Sequence, residues 1–316
     1  MSSEKFFTTK KALITLIAAS LVVIVSLGIR QTFGLFFFDF NADLNISISH
    51  FGFVIGLQLL MWGVFSPIFG FITDRYGGAT AIFIGFLFYL AGLFLFYSGL
   101  NTGYLFTLTI GLLIGIGLGG TAISIPVSVV AKHFPSSNRT IATGIVTCAG
   151  SFGFFVSPLL VRYSLIEIGW EITILYFCFL LGIGLITALF ISTPKTPVGN
   201  NDNNNQTAKE ALIEAFNNKS FIFLTLGFFV CGWHIALVAT HIPTYMMDRG
   251  MPDWTAAMIL ALVGVFNMIG TMGSGYLATK FSKKKVLSAI YLLRGVSLIY
   301  FLYLPPSIFN SVVFGV

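Results

Sequence analysis

Charged residues are scarce in this chain, making up 9% of its 316 positions, where a soluble domain carries roughly 25%. That shortage excludes a protein clothed all round in a water-facing surface. Cysteine is nearly absent: Cys148, Cys178 and Cys231 all fall inside apolar runs, which excludes a disulfide framework and a Cys-x-x-Cys metal pair. No two carboxylates sit mid-span, so a buried acid pair is not the proton carrier in this sequence. Also missing are a Gly-x-x-x-x-Gly-Lys phosphate loop, a His-Glu-x-x-His pair and a Gly-x-Ser-x-Gly elbow. Neither nucleotide hydrolysis nor hydrolytic chemistry within the membrane is expected, and no enzyme, cofactor or metal is implied.

What the chain has in abundance is apolar sequence, 56% of its residues. Its runs last 19 to 28 residues, and a helix needs about 20 to cross a bilayer. Spans are predicted near 12–38, 50–72, 79–98, 104–131, 140–162, 172–192, 220–245, 255–278 and 286–304, with a tenth starting after Pro305-Pro306. The run after Lys10-Lys11 is too long for a signal-peptide core and counts as the first span. The runs are continuous, not alternating, which selects helices over barrel strands. The fold class is an all-α polytopic membrane protein.

Lysine and arginine set the orientation. With the N-terminus inside, thirteen of the seventeen lie in inner segments, only Arg162 and Arg249 at outer ends, and Arg30 and Arg294 within spans. The net charge of +6 is therefore a topology signal and calls for no nucleic acid. Residues 193–219 open with Pro194 and Pro197 and continue through Asn200 to Asn205, a composition that reads as a linker. It would separate a six-helix bundle, 1–192, from a second bundle, 220–316. The stretch from Ala208 to Phe216 reads as a short amphipathic helix for the membrane surface.

The halves carry an internal echo. Gly70-Phe71-Ile72-Thr73-Asp74-Arg75-Tyr76-Gly77 recurs in outline at Gly275-Tyr276-Leu277-Ala278-Thr279-Lys280, and the same shift of 205 residues carries Asp43 onto Asp248. Duplicated halves around one site are a common transporter plan. The Gly70–Gly77 stretch resembles the loop signature of the major facilitator superfamily. Gly28-Ile29-Arg30-Gln31-Thr32-Phe33-Gly34-Leu35-Phe36, Phe134-Pro135 with Gly169-Trp170, and Cys231-Gly232-Trp233-His234 with Thr240-His241-Ile242-Pro243 resemble its monocarboxylate and oxalate/formate branch. The resemblance implies two pseudo-symmetric six-helix bundles, the second truncated in this sequence. It also implies that Gly70, Asp74, Arg75, Gly77 and Lys280 belong to a conformational latch. Thr279 in place of an acid and Gly78-Ala79-Thr80 in place of basic residues weaken that latch.

Arg30 follows Lys11 by 19 residues, about 28 Å along a helix. A central arginine costs about 2.5–3.5 kcal/mol to insert and should face a cavity or a partner. It either snorkels outward or pairs with Asp39, or else it binds an anion with Gln31 as a second donor. Arg294, nine residues past Lys285, lies roughly 13 Å into its span and is either structural or ligand-binding. His234 and His241, seven residues apart, share one face of a regular helix and suit carboxylate binding or proton relay. Gly111, Gly115 and Gly119, with Gly117 and Gly120 beside them, form a small-residue packing stripe.

These residues point to a secondary active transporter moving a small organic anion, a carboxylate, by alternating access. The resemblance adds proton symport or anion exchange in a multi-pass monomer of the cell membrane (the inner membrane if bacterial), N-terminus cytoplasmic. An exporter of drugs or neutral metabolites and a non-transporting sensor are the alternatives. The charge asymmetry makes a direct prediction: Asn203→Cys and Asn45→Cys label from opposite sides with an impermeant maleimide. Labelling of both from outside would contradict the topology.

Overall fold

The computed structural model describes residues 10–192, 208–252, 254–305 and 307–316, and the side chains of all of these except 136, 137 and 208–212. Among the described residues every regular element is helical. Helix α1, Lys10–Gln31, passes through a 3-10 turn, Phe33–Phe36, into α2, Phe37–Leu44. Next come α3, Ile48–Tyr76, and α4, Gly78–Tyr97. The fourth span is assembled from α5, Gly103–Phe106, a π turn at Thr107–Leu113, α6, Ile114–Thr121, and α7, Ser124–His133. A long run, α8, Ser136–Ala188, closes the first half. The second half holds α9, Ala208–Asn217, α10, Lys219–Ala236, a π turn at Leu237–His241, and α11, Ile242–Asp248. It continues through α12, Trp254–Lys280, α13, Lys283–Tyr303, and α14, Ile308–Gly315.

Continuous apolar sequence becomes helix because lipid offers the backbone no hydrogen-bond partner. Polar residues mark the starts. The side chains of Ser47, Asn218, Ser282 and Ser307 each accept from an amide in the first turn of the helix they cap, which satisfies donors that have no partner inside the helix. Among the described residues, eight helical stretches are long and apolar enough to cross a bilayer. One of them, Asn138–Ala188, contains two of the expected spans. Gly169 breaks it with φ 80° and ψ 171°, a conformation that only glycine adopts readily. All nine expected spans thus have their helices. The linker expected over 193–219 lies partly outside the described residues; its end forms α9.

The 205-residue shift holds element by element. It carries the end of α1, Gln31, onto the end of α10, Ala236, and the irregular turn Phe33–Phe36 into the one at Leu237–His241. It also carries α2 onto α11, α3 onto α12 and α4 onto α13. Asn45, in the left-handed region with φ 54°, falls on Gly250 with φ 72°. The helix-capping positions Thr102 and Ser307 coincide as well.

Two seams join the halves. Along one, α12 lies on the first arm of α8: Asn267 Nδ2 donates to Ser151 Oγ at 2.8 Å, and Gly264 faces the backbone of Phe154 and Phe155. Along the other, Gly34 in the 3-10 turn faces the carbonyls of Ala239 and Thr240 in the π turn. By the repeat, Gly34 and Ala239 are equivalent residues. Within the first half, Gly111, Gly115 and Gly119 turn to α3 and Gly117 turns to α4, while Gly120 lies between the two, against Phe69 of α3 and the Ala81 carbonyl of α4. The expected stripe therefore serves two neighbours. Helices in lipid associate through such close packing, with no hydrophobic drive between them.

Away from the basic helix ends, a buried aromatic cluster fills the first half. Phe40 meets Phe96 at 5.2 Å, Phe106 at 5.9 Å and Trp170 at 5.4 Å between ring centroids. Trp170 Nε1 donates to Asp43 Oδ2 at 2.7 Å, which ties the last turn of α2 to the helix beyond Gly169.

Gly264 tests the first seam. A Cβ there would lie 2.7 Å from the carbonyl carbon of Phe154, so Gly264→Val should destabilise the fold by about 1–3 kcal/mol through overpacking. Gly270, with no heavy atom within 4 Å of its Cβ position, should tolerate valine at nearly the wild-type unfolding temperature. Thermal unfolding in detergent, monitored by intrinsic fluorescence, measures both.

Candidate substrate-binding site

Arg30 closes the last turn of α1 and is 3% exposed. Its Nε and Nη2 are buried without a hydrogen-bond partner among the described residues. These two nitrogens form one edge of the planar guanidinium, the edge that grips a carboxylate at two points. Gln31, also 3% exposed, leaves its Oε1 unpartnered in the same way. The expected alternative partner, Asp39, is not hydrogen-bonded to Arg30 in the described structure; it lies in the electrostatic neighbourhood of Asp43 and Arg162.

Two further residues without a distinguishing motif in the sequence carry buried polar groups in the first half. Tyr89, fully buried on α4, donates its hydroxyl to the Ser26 carbonyl at 3.3 Å, one turn below Arg30 on α1. Gln58, fully buried on α3, donates Nε2 to the Ile110 carbonyl at 3.0 Å and leaves Oε1 unpartnered. Both are polar groups within apolar runs. For Gln58 that mid-span amide was the available signal; for Tyr89 it was a phenol placed far from either helix end.

The second half brings Cys231, His234 and Arg294 together. Arg294 Nη1 donates to Cys231 Sγ at 3.1 Å, and His234 lies within electrostatic reach of the same guanidinium. Tyr291, one turn before Arg294, donates its hydroxyl to the Gly227 carbonyl at 2.6 Å. His241 goes elsewhere. Its Cε1 lies 3.3 Å from the Cβ position of Gly52 on α3. A spacing of seven aligns two residues on a regular helix, but the π turn at Leu237–His241 rotates the remainder of the span. His234 accordingly turns to α13 and His241 to the first half.

The residues of the expected latch sit at helix ends. Asp74 receives Lys132 Nζ at 2.7 Å, with both side chains substantially exposed. Arg75 lies over the ring of Tyr76 at 5.5 Å, and Lys280 over that of Tyr276 at 4.7 Å. Gly77 turns the chain from α3 into α4 with φ 97°, while the Cβ position of Gly70 has open space around it.

Residues 19–316 match the model of the Major Facilitator Superfamily, and the chain belongs to that superfamily. Similar proteins include the Agnestins efflux protein AgnL12 of Paecilomyces divaricatus, 24% identical over 91% of this chain and 65% of that protein. The hexuronate transporter of Bacillus subtilis is 23% identical over 81% of this chain and 62% of its own length. The chain therefore spans somewhat less than two thirds of either relative. The crystal structure of a D-xylose–proton symporter superposes with a TM-score of 0.70 at 14% identity, covering 96% of this chain and 80% of that one. That likeness shows the major facilitator fold.

The ion pair between Lys132 and Asp74 joins two exposed side chains, and such pairs contribute about 0–1 kcal/mol. Asp74→Asn should therefore barely move the unfolding temperature. A fall of many degrees in differential scanning fluorimetry would show that the pair holds the bundle together.

Proposed function

We propose that this protein is a secondary active transporter that carries a small carboxylate by alternating access. In this reading two repeat units, 1–192 and 220–316, rock about the linker 193–219. One observation carries it: the buried, unpartnered Nε–Nη2 edge of Arg30. A charged donor held in a low-dielectric interior without a partner costs several kcal/mol, and a bound planar oxyanion removes that cost. The hexuronate transporter, a relative whose name denotes a carboxylate cargo, supports the same class of substrate.

The other expected residues take their places around this contact. Gln31 offers an acceptor to a hydroxyl on the substrate. His234 and Arg294, packed together on the second half, and His241, lying against α3, contribute to anion or proton handling as the halves move. Asp74, Arg75 and Lys280, with Gly70 and Gly77, act as the latch on the basic face, which is the cytoplasmic face. Proton symport and anion exchange both suit this arrangement, and the protein works as a monomer without catalysing a chemical reaction.

A second reading, export of a neutral organic metabolite, draws on the efflux protein of Paecilomyces divaricatus. Substitution of Arg30 separates the two. With proteoliposomes and a panel of labelled carboxylates, Arg30→Ala should weaken anion affinity about 10- to 100-fold, the worth of a charge-assisted contact. Arg30→Lys should stay poor, because an ammonium has no planar fork. His234→Ala should flatten the pH dependence of uptake and leave anion selectivity in place. Wild-type affinity in Arg30→Ala, measured at matched protein levels, would overturn the carboxylate reading. Unimpaired transport of neutral compounds by the same variant would support export.

A further inference from the structure

The hydroxyl groups around Arg30 are not equally committed. Ser26 Oγ and Thr121 Oγ1 lie 2.7 Å apart, and Thr121 Oγ1 donates to the Gly117 carbonyl at 3.0 Å. The serine hydroxyl is therefore the donor to the threonine, and both protons are held at ordinary lengths. All these side chains are fully buried. The Tyr89 hydroxyl differs. Its bond to the Ser26 carbonyl is 3.3 Å, beyond the usual 2.5–3.0 Å range for an O–H donor. In helical geometry that carbonyl also accepts the backbone N–H of Arg30, four residues on. The carbonyl keeps one bond when the phenol leaves it, so the departure orphans no buried group.

The backbone that carries the phenol is held closely. Tyr89 N lies 2.7 Å from the Cβ position of Gly117, so α4 and the fourth span meet with no side chain between them there. The ring enters α1 from that contact as a rigid lever with two side-chain torsions. It is within electrostatic reach of the Arg30 charge.

We infer that Tyr89 is a substrate-positioning residue: its hydroxyl exchanges the Ser26 carbonyl for an oxygen of the anion held on the Nε–Nη2 edge of Arg30. This rests on the carboxylate reading above and deepens it. Arg30 supplies two parallel donors in one plane, and Tyr89 supplies a third from the neighbouring helix α4. A site of this form selects an anion with an oxygen lone pair available outside the bidentate pair. Tyr89 thereby distinguishes the oxygens of a carboxylate from a halide, which has no fixed directions of acceptance.

The test uses the intact protein in proteoliposomes, with labelled formate, lactate, glucuronate and nitrate as probes and chloride as competitor. Tyr89→Phe keeps the ring and removes only the hydroxyl. It should raise the apparent KM for the probe the wild type takes up by about 5- to 15-fold, with maximal velocity within twofold and chloride competing better than before. Combined with Arg30→Ala it should add little, since both groups act on one ligand. A merely structural hydroxyl would lower the unfolding temperature and leave KM and chloride competition alone. Wild-type KM in Tyr89→Phe with a damaged Arg30→Ala would overturn the role of Tyr89 only. Wild-type KM in Arg30→Ala, or uptake of none of the four probes, would overturn the carboxylate reading and this inference together.

Discussion

The structure depends on one constraint: inside a bilayer a polar group finds partners in the protein or goes without. Backbone groups meet the requirement by forming helices, which is why nearly every described residue between the loops is helical. Side chains meet it locally. Thr73, Thr143, Thr147 and Thr187 donate to the carbonyl four residues back, and Ser26 donates across two helices to Thr121, which donates to the Gly117 carbonyl. Against that background the few unsatisfied groups carry information. The Nε–Nη2 edge of Arg30 stands out among them, because two adjacent donors of one buried charge are left together.

The same constraint explains where the helices depart from regularity. The turns at Phe33–Phe36, Thr107–Leu113 and Leu237–His241 all interrupt spans, not loops. Such turns inside a helix are often found at functional sites, and two of these pack against each other at equivalent positions of the repeat. One lies immediately beyond Arg30, and another separates His234 from His241. Span irregularity, the unpartnered edge of Arg30 and the contact between halves thus share one region.

Much of this was legible in the sequence. The third span, expected at 79–98, is found at Gly78–Tyr97, and the eighth, expected at 255–278, at Trp254–Lys280, because composition alone sets where a chain can enter lipid. The 205-residue repeat was visible in two short motifs and proved to hold from the end of α1 through α4. Hydropathy is blind, however, to a change in hydrogen-bond register within an apolar run, so the π turn that separates His234 from His241 left no trace in it. Tyr89 was hidden for a different reason. In a chain with 35 phenylalanines and 11 tyrosines, one more aromatic in an apolar stretch reads as packing, and only the folded chain shows its hydroxyl beside the Ser26 carbonyl. The interior fate of many phenylalanines, as in the cluster around Phe40, likewise depends on which spans are adjacent.

The meeting of Gly34 with Ala239 has a consequence for how the halves can part. A contact between equivalent residues is self-complementary: what one side presents, the other must accept from the matching place. Two of the smallest residues meet that demand without interlocking. Separation there forfeits only dispersion, a fraction of a kcal/mol per atom pair. The other seam is fastened by an amide–hydroxyl bond, which must be broken or exchanged before it can open. The two junctions therefore differ as a press-stud differs from a stitch, and unequal fastening of this kind sets which junction yields first under strain.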